Sequence, residues 1–218
     1  MKDHANGKIG ASTMTLRVLD SGLELALIAE RRASGADRYD EVWNGAYVMS
    51  PLANNEHQQL ATKLAGIFER VLGDRDDVWC LAGANVSDQA VEWTKNFRCP
   101  DVVVVLPGSR AQNRDTHWLG GPDLMVEIVS EGDASHEKFE FYEKIGVREV
   151  LVIDRDPWSL SLHRLNAAGS LQLVQRIEAT AAGTVTSDVL NAELGLTIGG
   201  KRPKVYVVQH GTGVRWNT

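Results

Sequence analysis

Two β-branched stretches of the chain each carry an acid into apolar surroundings. Asp101 follows Pro100 at the mouth of Val102-Val103-Val104-Val105, and Glu127 sits inside Leu124-Met125-Val126-Glu127-Ile128-Val129. A carboxylate among Val126, Ile128 and Val129 is costly to bury without a partner cation, so Glu127 asks for a metal or a base. Asp101 and Glu127 on neighbouring strands offer oxygen donors to a hard divalent ion, Mg2+ or Mn2+. The backbone carbonyl of Ile128 is a further donor, and water and a substrate phosphate complete the shell. Such a site supplies Lewis acidity at a phosphodiester, while Lys138 stabilises developing charge or orients the nucleophile. The chemistry expected is phosphodiester hydrolysis.

The elements that must position these groups are legible in the pattern. Pro100 to Leu106 and Asp123 to Ser130 read as central strands. Ala134 to Ile145 has helical spacing and stops at Gly146, and Glu149 to Ile153 reads as a strand, giving a β-α-β order around Glu127 and Lys138. On that helix Lys138 shares a face with Phe141, Tyr142 and Ile145, whereas Lys144 falls beside Glu137 and Glu140 and is solvated. Upstream, Ser21 to Arg32 reads as a helix with Ser21 and Glu24 as a capping box. Arg38 to Met49 forms a hairpin turning at Asn44-Gly45. Asn54 to Leu72 is an amphipathic helix ended by Gly73, with His57 on its inner face. Val78 to Leu81 and Asn85 to Ser87 are short extended segments, and Gly108 to Gly121 reads as a mobile connection around Trp118. Leu160 to Leu165 and Leu171 to Ile177 form a second hairpin, and Lys204 to Val208 a late strand.

Composition bounds the function. The 218 residues, 43% hydrophobic and 24% charged, suit one soluble domain, and no apolar stretch is long enough for a membrane helix. Met1 to Gly10 is polar and unlike a signal peptide, so the expected compartment is the cytoplasm. Cys80 and Cys99 form no Cys-x-x-Cys pair and read as structural thiols. A net charge of -6 argues against an extended nucleic-acid footprint. Divalent ions that screen both substrate phosphates and site carboxylates offset that objection. The six tryptophans are dispersed and make no stacking platform for single strands.

Pro100-Asp101, Glu127-Ile128-Val129-Ser130, Lys138, Tyr142, Gly146-Val147 and Val152-Ile153-Asp154 resemble the PD-(D/E)XK nuclease superfamily, specifically its Uma-type branch of restriction endonucleases. The likeness runs from about Tyr39 to His163 and includes Tyr39-Asp40-Glu41, Asn44-Gly45, Met49-Ser50-Pro51 and His57. In the superfamily at large the lysine lies two residues beyond the second acid, a place held here by Val129. In the Uma-type branch it comes from the following helix, where Lys138 stands. The resemblance implies an α/β fold of restriction-endonuclease type, a mixed sheet flanked by helices. It also implies a magnesium-dependent DNA endonuclease with Asp101, Glu127 and Lys138 as catalytic residues, acting as a homodimer. The segment around Val205 to Val208 is a candidate edge strand for that dimer. The branch places a glutamate directly after the hairpin glycine, where this chain has Ala46, and that departure predicts weakened turnover. Glu41, His57 and Ser130 are the accessory candidates.

Other readings stand beside these. Asp101 is also a plausible strand-opening residue, Glu127 and Lys138 a structural ion pair, and His57 a core or capping histidine. Asp133 and Ser135 read as helix caps, and Ser130 binds phosphate or ends its strand. At the level of the whole chain the alternatives are a catalytically quiet binding or assembly protein on the same fold, and a hydrolase of a smaller phosphate ester. The expected organisation is an N-terminal extension and helix over 1–38, a core over 39–165, and a β-rich segment over 166–218 packed on it.

Overall fold

The computed structural model describes residues 16–17, 21–50, 52–129, 135–197, 199 and 202–218. Its first half contains strands β1 (Leu16–Arg17), β2 (Glu41–Trp43), β3 (Ala46–Met49), β4 (Trp79–Ala82), β5 (Val86–Ser87), β6 (Phe97–Arg98) and β7 (Val102–Val105). There follow β8 (Gln112–Asn113), β9 (Trp118–Leu119), β10 (Leu124–Val129), β11 (Glu149–Arg155), β12 (Trp158–Leu165) and β13 (Leu171–Glu178). The chain closes with β14 (Thr184–Ser187), β15 (Ala192–Thr197), β16 (Lys204–Gln209) and β17 (Arg215–Asn217). The helices are α1 (Ser21–Ser34), α2 (Asn55–Val71) and α3 (Phe139–Ile145), the last preceded by a 3₁₀ turn over Ser135–Lys138.

The central sheet has the order β13-β12-β11-β10-β7-β4, with β10 and β11 parallel and their outer neighbours antiparallel. This is a mixed α/β architecture. All of β7 and β10 is buried, as expected for strands covered on both faces. Their alternating residues separate two cores. Val102, Val104, Leu124, Val126 and Ile128 face α2 and the sheet β14-β15-β16-β17. Val103, Val105, Met125 and Val129 face Phe141, Tyr142 and Ile145 of α3. Asp101 and Glu127 have the parity of this second face, so the strand period of two places both acids under α3.

The hairpin turns at Asn44 and Gly45, both at positive φ, as an Asn-Gly pair favours. α2 is capped by Asn54, whose side chain accepts the His57 N–H at 2.9 Å. α3 stops at Gly146 in the left-handed conformation. There Gly121 donates to the Ile145 carbonyl at 2.9 Å, and a side chain at 121 would overlap the Ile145–Val147 backbone. The position is therefore glycine for close approach.

Three sequence expectations are corrected. The 108–121 segment is not a loose connection: β8 and β9 join a second sheet, β9 pairs with β5, and Trp118 is buried. The helix expected from Ala134 is a 3₁₀ turn up to Lys138 and α-helical beyond, with Ala134 itself outside the described residues. Lys204 to Val208 is no edge: β16 pairs with β15 on one side and β17 on the other, and Val205 and Val207 are fully buried. Ser130, Asp133 and Pro51 lie outside the described residues.

Candidate active site

Glu127 and Lys138 meet as the sequence predicts. The Lys138 ammonium lies 3.1 Å from Glu127 Oε2 and 3.3 Å from Oε1, and the Tyr142 hydroxyl donates to the same Oε1 in a very short hydrogen bond. Asp101 is fixed at both oxygens. Its Oδ2 accepts the Ile128 N–H at 2.7 Å, and Oδ1 lies 2.6 Å from His57 Nε2. The first turn of α2 thus reaches around the end of the sheet to the acid that opens β7.

A third carboxylate completes the cluster, and it comes from β2. Glu41 is 2% exposed, and its Oε1 lies 3.0 Å from Lys138 Nζ. The same Oε1 accepts the Cys99 N–H at 2.8 Å, and Oε2 accepts the Trp43 indole N–H at 2.5 Å. Ala46, where the resemblance leads one to miss an acid, is exposed on the hairpin. The acid facing Lys138 is supplied from position 41, so the expected deficit at 46 removes no group from the cluster. Period-two alternation in β2, which turns Glu41 and Trp43 inward together, is the signal that marks Glu41.

Burial pushes the Glu127 carboxyl up to about 8; Lys138 opposes this, and Asp101 and Glu41 add to it. Burial also works against the Lys138 ammonium, but Glu127 and Glu41 outweigh it and hold that group well above its usual range. The lysine keeps its proton, and the costly charge is the one on Glu127. Cys99, beside Glu41, is pushed up to about 12 by burial and then by Glu41, so its thiol is inert. Lys144 is solvated, as its face predicts, and pairs with Asp88 at 2.6 Å.

Among the described residues no three His, Cys, Asp or Glu side chains converge as a ready-made metal cage. Magnesium does not require one, since one or two carboxylates with water and phosphate suffice. The donor set fits a hard cation: Glu41 and Glu127 share one ammonium, and Asp101 adds a third carboxyl that, after burial, helps to raise Glu127.

Residues 29–199 match the model of the Uma2 family, described as "Putative restriction endonuclease". The chain belongs to the Uma2 family. The match extends past the hairpin of β12 and β13 and through β15, further than the motifs alone reach. Among solved structures, a putative nuclease of the DUF820 family from Anabaena variabilis shares the fold, with a TM-score of 0.53 at 14% identity over 69% of this chain and 82% of that one. No curated protein matches the chain.

Proposed function

We propose that this Uma2-family protein is a metal-dependent DNA endonuclease that hydrolyses phosphodiester bonds in the cytoplasm as a homodimer. The observation that carries the reading is the buried Lys138 shared between Glu127 and Glu41, with Asp101 near enough to Glu127 to help raise its carboxyl. Asp101 and Glu127, with the Ile128 carbonyl, would hold Mg2+ or Mn2+, which when bound supplies Lewis acidity at the phosphate. Lys138 donates to the developing charge on the phosphoryl oxygens or orients the attacking water. Glu41 keeps the ammonium in place and is an accessory acid at the same site. His57 holds Asp101 at the oxygen that the Ile128 N–H leaves free. Tyr142 fixes Glu127 from below.

Calorimetry of Mg2+ and Mn2+ binding to wild type and Glu127→Ala, followed by plasmid cleavage on the same samples, tests this. Binding lost in the variant together with cleavage by wild type supports the nuclease. Binding without DNA cleavage redirects the search to smaller phosphate esters. No binding at all makes Glu41, Lys138 and Glu127 a structural ion-pair cluster in a quiet relative, and the proposal fails.

A further inference from the structure

One oxygen of Glu41 is fixed by the chain just after β6 and the other by Trp43 of its own strand. The Cys99 N–H takes Oε1 directly. The other oxygen is held by the Trp43 indole, and Trp43 is in turn held by Arg98, the residue before Cys99. The Arg98 guanidinium carbon lies 4.8 Å from the Trp43 ring centroid and 4.3 Å from that of Phe141. Arg98 is 3% exposed, and its Nη1 donates to the Val42 carbonyl at 3.0 Å and to the Phe97 carbonyl at 3.1 Å. One guanidinium therefore ties β2, which carries Glu41, to β6 and to the ring of Phe141 on α3, the element that Lys138 leads into. A planar cation between two ring faces is a geometry lysine cannot reproduce. A cation over an indole face also draws electron density from the ring, which makes its N–H a stronger donor.

We propose that Arg98 and Trp43 are positioning residues that hold the Glu41 carboxylate against Lys138. Arg98 acts through the Trp43 ring and Trp43 through its N–H. The proposal rests on reading Glu41 as part of the phosphodiesterase site. A purely structural Arg98 would stabilise the hairpin without any link to Glu41.

The test follows the Trp43 indole N–H by NMR in protein with labelled tryptophan, in wild type, Arg98→Met and Arg98→Lys, each with and without Glu41→Gln. In wild type, Glu41→Gln moves the Trp43 resonance because the charged acceptor is gone. In Arg98→Met the same change moves it little, and Arg98→Lys is intermediate. Trp43→Phe keeps the ring under Arg98 and removes the donor. It lowers kcat of the wild-type cleavage reaction about ten- to a hundredfold with KM little changed, as misplacement of a site group does. An equal Glu41→Gln shift with and without Arg98, in folded proteins, overturns the proposal, as does a Trp43→Phe variant with unchanged kcat. The NMR arm needs no catalysis, so absence of cleavage by wild type would fail the nuclease reading alone.

Discussion

Lys138 serves two carboxylates at once, and its side chain is only 12% exposed. Replacing it with methionine leaves Glu41 and Glu127 facing each other without their shared cation. Breaking a buried pair from one side costs about 3–5 kcal/mol, so Lys138→Met should lower the urea midpoint by that equivalent. Glu41→Gln in the same background should recover part of it, because the carboxylate left without its cation is gone, whereas Glu127 takes up a proton once Lys138 no longer opposes its raised pKa. A loss below about 1 kcal/mol would mean that the carboxyls are held by their other donors, as at exposed pairs. The outcome at position 46 should be the reverse. Ala46 is exposed, so Ala46→Glu should change stability by no more than about 0.5 kcal/mol and leave metal affinity as it was, measured by the same calorimetry. Asp101, Glu127 and Lys138 were legible in the sequence because acids in apolar strands and a lysine on an apolar helix face are anomalies that periodicity exposes. Glu41 leaves a fainter signal, because β2 has only three residues and the motif's expected acid lies on the other side of its turn.

The 3₁₀ turn and α3 form the element that delivers Lys138 and Tyr142, and their start is packed by two histidines. Phe139 has its ring centroid 4.8 Å from that of His163 on β12 and 5.4 Å from that of His136. Burial pushes the His163 imidazole down from its usual 6.5, and His136 adds to the effect. With the folded-state pKa below the unfolded one, the unfolded chain takes up the proton first as pH falls. His163 therefore contributes stability that is present above about pH 6.5 and lost as pH falls through its lowered folded-state value. Urea midpoints measured at about pH 7.5 and pH 5.5 should fall less steeply in His163→Gln than in wild type. Equal slopes would show that His163 titrates alike in both states. The sequence located this helix by its apolar face but not the tightening of its first turn, since residues three apart lie on one side of either helix type.

At the scale of the whole molecule, the central sheet and its two helices were legible and the C-terminal sheet was mostly not. Of its strands only β16 stood out, and the reason is local: β15 contains Gly195, and glycine in a strand interior argues against the strand. In the structure Tyr206 of β16 pairs directly with Gly195, and its ring occupies the space a side chain there would need. Such cross-strand cover is invisible in a linear pattern. The sheet is no appendage to the candidate nuclease core. Val185, Val189, Leu190, Leu194, Leu196, Val205 and Val207 share one cluster with Leu64 and Phe68 of α2 and with Leu160 and Leu162 of β12. Gln209 also donates to the Val71 carbonyl at 2.8 Å, and Arg202 pairs with Glu56. We propose that the segment after Leu165 is required for the core to fold. At about 1.5 kcal/mol for each buried Val or Leu, the seven side chains contribute roughly 10 kcal/mol, comparable with the whole stability of a domain. A chain ending at Leu165 should lose amide dispersion in NMR and the cooperative urea transition, and with them the placement of His57 at the start of α2. A truncated chain that still unfolded cooperatively would show that 166–218 folds as a unit apart, and that α2 is held by β7 and β10 alone.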